Sequence, residues 1–188
     1  QHRRAAIEEA IKQEPELGHD VIPVLFFLDE GLLRSQQMFA DLNKHAVRPS
    51  DSISTLYDHR EQLSELARYL WKNVPVFKNL TETERSTISN RRSKLFTISS
   101  IKNASKALLR KGNRDPVSLE EMEKAALYWT VVTENMPDWK AAKERRIICH
   151  DLRLTTVHAH GVTLQALGQV GADLLARHPN SWQRFLKK

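Results

Sequence analysis

Between Arg85 and Arg114 the chain carries nine basic side chains and no acidic one: Arg85, Arg91, Arg92, Lys94, Lys102, Lys106, Arg110, Lys111 and Arg114. A run of one charge sign with no counter-charge inside it attracts polyanions, and nucleic acid is the commonest of these. Three of the bases have helical spacing. Lys102, Lys106 and Arg110 stand four residues apart, which puts them on one stripe of a helix. Ile98, Ile101, Ala104 and Leu108 form a second stripe, displaced around the same helix. The expectation is a helix over residues 97–111 that docks on the core by one side and meets phosphates with the other. Ser99, Ser100, Asn103 and Ser105 are short enough to approach a DNA backbone or a base edge. The plainer reading is an amphipathic surface helix whose charged side faces only water.

Two other groups of residues suggest chemistry. Gln1-His2-Arg3 precedes a helix-forming stretch. The unpaired N–H groups and positive dipole end of a helix start suit an anion, and Arg3 adds a forked donor. Further along, around Lys44, either Asn43 simply caps a helix end, or His45 and Arg48 join the N-terminal residues in such a phosphate site. Cys149-His150 and His158-x-His160 resemble fragments of a metal or thiol site. A structural zinc site needs four ligands, commonly with paired cysteines, and the chain has a single cysteine. No metal is expected. Cys149 reads as a buried apolar filler. The sequence holds no P-loop, no paired carboxylates in a catalytic frame and no Ser-His-Asp pattern, so no catalytic residue is assigned.

The elements that must position these residues are mostly helices. Residues 3–13 read as a helix stopped by Pro15 and Gly18. Val21 to Leu28 is the one convincing strand, and its Pro23 favours an edge position because proline cannot donate to the ladder. Residues 31–45 and 60–72 show helical apolar stripes. Thr97 is a cap candidate and Gly112 a suitable stop for the basic helix. Ser118-Leu119-Glu120-Glu121 approaches a capping box and opens a helix that runs to Glu134. A helix restarts at Pro137, a helical pair covers 151–177 with a break at Gly161, and a short turn follows Pro179. Residues 46–55 and 112–117 read as loops. Trp71, Trp129, Trp139 and Trp182 lie in amphipathic helices and read as core anchors rather than stacking platforms.

Charge is divided unevenly along the 188 residues. Residues 1–90 hold 11 Lys and Arg against 14 Asp and Glu, and residues 91–188 hold 18 against 9. The positive charge therefore belongs to the second half. No apolar run approaches the length that crosses a bilayer, roughly 18 residues or more, so no membrane partner is expected. A lone cysteine fits a reducing compartment, and the expected location is the cytoplasm.

Several blocks carry a family resemblance. Gln1-His2-Arg3-Arg4-x-Ala6 resembles the end of an Asp-Gly-Gln-His-Arg motif. Phe39 to Ala46, Arg48-Pro49-Ser50, Leu56 to Arg60, Thr87 to Arg91 and Lys94 to Thr97 resemble further blocks of the same proteins. These are the DGQHR-domain proteins, a branch related to the ParB-like fold, and within them the DndB family of DNA sulfur modification. The Asp-Gly pair that should precede Gln1 is absent, so the chain is expected to be a C-terminal fragment cut near its motif.

The resemblance implies a mainly α fold: a multi-helix domain with one short edge strand left from a truncated ParB-like α/β unit. Residues 1–45 would be the remnant of that unit and 46–188 a helical DNA-binding domain. It further implies a transcriptional regulator, a repressor of the phosphorothioation genes, rather than an enzyme. Charge and helix pattern contribute only the DNA affinity. The DNA-binding set is then Arg91, Arg92, Lys94, Lys102, Lys106, Arg110, Lys111 and Arg114. In ParB-like proteins the matching segment holds nucleotide phosphates, so the resemblance makes Gln1, His2 and Arg3 the phosphate-binding set. Two alternatives stay open. One is a nucleotide-binding or nucleotide-hydrolysing switch coupled to DNA; the other is an interaction module for proteins of the modification machinery. Duplex DNA, those proteins and a second copy of the chain are the expected partners. A nucleotide is the one cofactor candidate.

Overall fold

The computed structural model describes residues 2–21, 31, 34 and 50–186. The chain divides into two compact units, Gln1–Val47 and Arg48–Lys188. In the first, helix α1 (His2–Gln13) is followed by a 3-10 turn at Pro15–His19, as the proline requires. The strand expected over Val21 to Leu28 lies outside the described residues except for Val21. The helix expected over 31–45 lies outside them except for Gly31 and Arg34.

The second unit is helical, and its elements begin where the local chemistry says they should. Ser50 caps α2 (Asp51–Tyr57) by accepting from the Ile53 N–H at 3.2 Å. Residues 51–55, expected as loop, are thus helical. The sequence reading gave no weight to the Ser50 cap. Helix α3 (Gln62–Asn73) follows the Asp58 carboxylate, which accepts from the backbone N–H groups of Arg60 and Glu61. Its apolar stripe, Leu63, Leu66, Ala67 and Leu70, is wholly buried. Pro75 sits in the first turn of α4 (Pro75–Leu80), where a missing N–H costs nothing.

A strand pair follows that the sequence did not suggest. β1 (Thr81–Glu82) and β2 (Phe96–Thr97) pair in parallel, with Thr81 opposite Phe96 and Glu82 opposite Thr97. Residues 83–95 connect them as a loop. Two residues per strand leave no room for a period-two pattern, so nothing in the sequence marks them.

Thr97 then caps α5 (Ile98–Leu109), accepting from the Ser100 N–H at 3.1 Å. This helix ends at Leu109, earlier than Gly112. Arg110 turns left-handed at φ 53°, and the Lys111 N–H reaches back to the Lys106 carbonyl at 3.1 Å. That is a Schellman closure made with arginine in the position glycine usually takes. Gly112 serves instead in a turn held by the Asp115 carboxylate. The capping box at Ser118 and Glu121 is present, and α6 (Leu119–Glu134) runs as expected. Helices α7 (Pro137–Lys143), α8 (Cys149–Thr155) and α9 (Gly161–Arg177) complete the unit, with a last 3-10 turn at Trp182–Phe185. The fold is mainly α. The described residues hold nine α-helices and this single two-stranded parallel sheet.

Trp129, Trp139 and Trp182 are buried, and Trp71 is half-buried. The Phe77 ring packs on Phe96 and Trp129, and Phe96 packs on Trp139. Buried polar tips find partners, as a low-dielectric interior demands. The Trp129 indole donates to Ser105 Oγ at 3.0 Å, and the Tyr128 hydroxyl donates to the Leu167 carbonyl at 2.7 Å. With water excluded, burial pushes the Tyr128 phenol up to about 12. Helix α9 lies against α5 at Gly168 and Gly171, both buried.

Candidate nucleic-acid interface

The nine bases do not share one environment. Most of those on or after α5 are engaged inside the protein. Lys102 pairs with Glu61 at 2.8 Å, and both side chains are largely covered. Lys106 donates to Asn113 Oδ1 at 2.6 Å. Arg110, carried off the helix axis by its left-handed backbone, pairs with Asp173 of α9. Lys111 pairs with Glu121 at 2.6 Å and also donates to the Pro116 carbonyl. The spacing that promised a free basic stripe produced instead a set of ties to acids and amides elsewhere in the chain. Lys102 is therefore engaged within the fold, through Glu61.

The loop between β1 and β2 differs. Arg85 and Arg91 are exposed and, among the described residues, make no side-chain hydrogen bond or ion pair. Arg114, in the turn after α5, is likewise exposed. Arg92 reaches Glu82 at a long 3.6 Å, and Lys94 donates to the Asn79 carbonyl at 2.9 Å. Glu82 is buried, and its Oε2 makes no hydrogen bond. Arg92 is the charge that faces it.

The backbone of this loop is fastened at both ends. Ser50 Oγ donates to the Glu84 carbonyl and Ser52 Oγ to the Arg85 carbonyl, each at 2.8 Å. Ser99 hydrogen-bonds Ser52 Oγ at 3.2 Å and Thr97 Oγ1 at 3.0 Å, extending this polar chain to the start of α5. From the other side Arg153 of α8 donates to the carbonyls of Ser89 (3.1 Å), Arg92 (3.4 Å) and Lys94. No carboxylate pairs with Arg153 among the described residues. Burial pulls its guanidinium below the ordinary value, with the nearby Cys149 opposing that. These bonds fasten the loop backbone at Glu84, Arg85, Ser89, Arg92 and Lys94.

Of the remaining sequence candidates, Asn43, Lys44, His45 and Arg48 lie outside the described residues. Gln1 lies outside the described residues. His2 and Arg3 open α1, and only their backbone is described. Cys149 is buried, unpaired and has its thiol pushed up by burial. His158 accepts from the Trp139 indole at 3.1 Å through Nδ1 and faces Asp138 through Nε2. His160 instead donates through Nε2 to the Arg153 carbonyl at 2.8 Å. The two histidines thus have separate partners. Among the described residues no three His, Cys, Asp or Glu side chains converge. Nor is any described helix long and apolar enough to cross a membrane.

Sequence reasoning missed Ser50, Ser52 and Glu82, and gave Arg153 no role in holding the loop. Ser50, Ser52 and Arg153 lie far in sequence from the loop segments they fix, and no spacing rule connects them. For Arg153 the separation is about sixty residues.

The Glu61–Lys102 pair has a consequence that can be measured. Burial pushes the Glu61 carboxyl up, but hydrogen bonds from Lys102 and Ser64 outweigh it and hold the group below its ordinary 4.5. A depressed carboxylate adds stability above its unfolded value and loses it as pH falls through the folded one. Glu61→Gln should therefore lower stability at pH 7 by about 1–2 kcal/mol. The difference from wild type should shrink as pH drops below 4.5 and vanish once Glu61 is protonated in the folded chain. Urea titrations at pH 7 and in the acid range read both effects. A deficit independent of pH would mean the pair contributes shape rather than charge.

The described part of the second unit is thus a helical domain with an exposed basic loop between β1 and β2. The chain belongs to the DndB family, described as DNA-sulfur modification-associated, whose family model matches residues 1–188, the whole chain. No curated protein and no solved structure matches it. Membership places the chain in DNA sulfur modification.

Proposed function

We propose that this chain is a DNA-binding regulator of the genes for DNA phosphorothioate modification. It docks on duplex backbone through the loop between β1 and β2 and represses by occupying a promoter. The observation that carries this reading is the pair Arg85 and Arg91, exposed and without partners among the described residues, on a loop tied down by Ser50, Ser52 and Arg153. Arg92 and Lys94 lie on the same loop and supply the second pair of cations. The helical part, residues 46–188, is then the DNA-binding domain, and 1–45 the remnant of a ParB-like unit. Helix α5 supports the loop from below rather than lying on the DNA itself.

Phosphate contacts dominate affinity and make it salt-dependent, because each neutralised phosphate releases counterions. With four loop bases engaged, the log–log slope of affinity against salt should be about −3.6, roughly −0.9 per contact. Fluorescence anisotropy of a labelled duplex over a salt series measures it. A slope near zero would remove electrostatic docking. Equal affinity for the promoter of the modification genes and for an unrelated duplex would remove promoter-specific repression while leaving DNA binding in place.

A further inference from the structure

Beside the basic loop lies a cleft of about 470 Å³ that the DNA-docking reading does not use. It opens between residues 86–90 of the loop, the first turn of α5, helix α8 and the start of α9. Its volume falls in the range of ligand clefts, about 300–1,000 Å³. We propose that this cleft binds a free nucleoside monophosphate, with the phosphate toward Arg153 and the base over Leu154.

The phosphate side rests on charge. None of the residues lining the cleft is acidic. Arg153 forms part of its wall, half-buried, with hydrogen bonds only to neutral carbonyls and no carboxylate to balance it. A guanidinium stays protonated in a protein, so Arg153 brings to the cleft wall a positive charge that only carbonyl dipoles balance. A partly desolvated charge without a counter-ion is costly, and an anion at that place relieves the cost. Two imidazoles face the same space. His160 donates through Nε2 to the Arg153 carbonyl, which leaves its Nδ1 to a ligand, and the half-buried His150 makes no side-chain hydrogen bond or ion pair among the described residues. Thr87 and Ser100 add hydroxyls to the rim.

The base side rests on apolar surface. Leu154 is 71% exposed at the edge of the cleft, unusual for a leucine beside so polar a site. Ile88 and Ala159 continue that wall. An inorganic anion would leave it uncovered, whereas a planar base would cover it. The site is separate from the residues at the chain start that the family resemblance connects with phosphates. It also does not depend on DNA binding by the loop.

The test is calorimetric titration of the full chain with AMP, adenosine and inorganic phosphate, repeated for His150→Ala and Leu154→Glu. AMP should bind at least tenfold more tightly than either adenosine or phosphate alone. Leu154→Glu puts a carboxylate and no apolar face at the mouth, and should weaken AMP at least tenfold with helix content unchanged by circular dichroism. His150→Ala, which breaks no hydrogen bond or ion pair among the described residues, should weaken it severalfold and, with helix content again unchanged by circular dichroism, guards against a folding defect in the first variant. No heat with AMP up to about 10 mM would overturn the proposal, that limit being weaker than ordinary ligand affinities. Undiminished binding by both variants would overturn it too, by placing the nucleotide elsewhere. A final arm adds unlabelled duplex to the AMP complex. Displacement of AMP would assign the cleft to a phosphate of DNA instead of a free nucleotide. AMP binding in a chain that fails to bind duplex would sink the regulator reading and leave this one standing.

Discussion

Gly168→Ala should destabilise the helical unit by about 3 kcal/mol or more, at the upper end for overpacking a core. In an open helix the same change stabilises, because glycine has about 1 kcal/mol less helix propensity than alanine. Here the sign reverses. A Cβ at Gly168 would stand 2.2 Å from the Ala104 carbonyl oxygen and 3.1 Å from its carbon. These are backbone atoms of α5, which cannot turn aside as a side chain can. Gly171→Ala should be comparably damaging. Its Cβ would meet the Tyr128 ring at 2.4 Å and Leu108 Cδ1 at 2.7 Å. Tyr128 is held by its bond to the Leu167 carbonyl and by the rings of Trp129 and Trp182. For a chain of this size each kcal/mol moves the melting temperature by roughly 2–4 °C, so Gly168→Ala should melt about 6–12 °C lower. Gly18→Ala is the control, since its Cβ would have ordinary contact with Ile11 at 3.8 Å. It should stay within about 0.5 kcal/mol of wild type. Calorimetry of the three variants decides the matter. An unchanged melt for Gly168→Ala would mean that α5 and α9 are not in backbone contact.

Two sets of substitutions in the basic segment should have opposite effects. Arg85→Gln with Arg91→Gln should leave stability within about 0.5 kcal/mol, since both side chains are exposed and neither makes a hydrogen bond or ion pair among the described residues. The same double variant should reduce the magnitude of the salt slope for duplex binding by about 1.8, two phosphate contacts' worth. Its affinity should fall similarly on every sequence, because phosphate contacts carry no base information. The helix set, Lys102→Gln with Lys106→Gln and Arg110→Gln, should do the reverse. It removes the partners of Glu61, Asn113 and Asp173 and leaves the half-buried Glu61 carboxylate without its cation. Stability should drop by about 1–3 kcal/mol, chiefly from Glu61. The salt slope should hardly change in the fraction that remains folded. Anisotropy over a salt series and urea denaturation on both variants separate the two roles. If the helix set instead lost about 2.7 of slope with its stability intact, the docking face would be α5, as the four-residue spacing alone suggests.

Much of the fold was legible in the sequence because its signals are local. The stripe at Leu63, Leu66 and Leu70 needs only the helical period to be read, and all three are buried. Thr97 and Ser118 announce helix starts because a hydroxyl can reach an N–H three residues on, and both do so. The burial of Cys149 followed from its having no companion cysteine and a small apolar body. The family, too, was legible, since the blocks between Gln1 and Thr97 are short stretches of contiguous residues, and the family assignment agrees over the whole chain.

The availability of each charge was not legible, and only the tertiary structure decided it. Counting bases treats all nine alike. Folding set Glu61 against Lys102 across forty-one residues and Asp173 against Arg110 across sixty-three, and it left Arg85 and Arg91 facing water. The same holds for Arg153. In sequence it is one more cation of a basic half; in the fold it is the tie of a loop and an unbalanced charge on a cleft wall. The close approach of α9 to α5 is of this kind as well. A glycine in a helix looks like a weakness until another helix's carbonyl is found where its side chain would be. Periodicity and capping depend on neighbours within about four residues, and so the sequence determines them by itself. Ion pairing and packing join residues by distance in space, which is set only when the chain has closed its long loops.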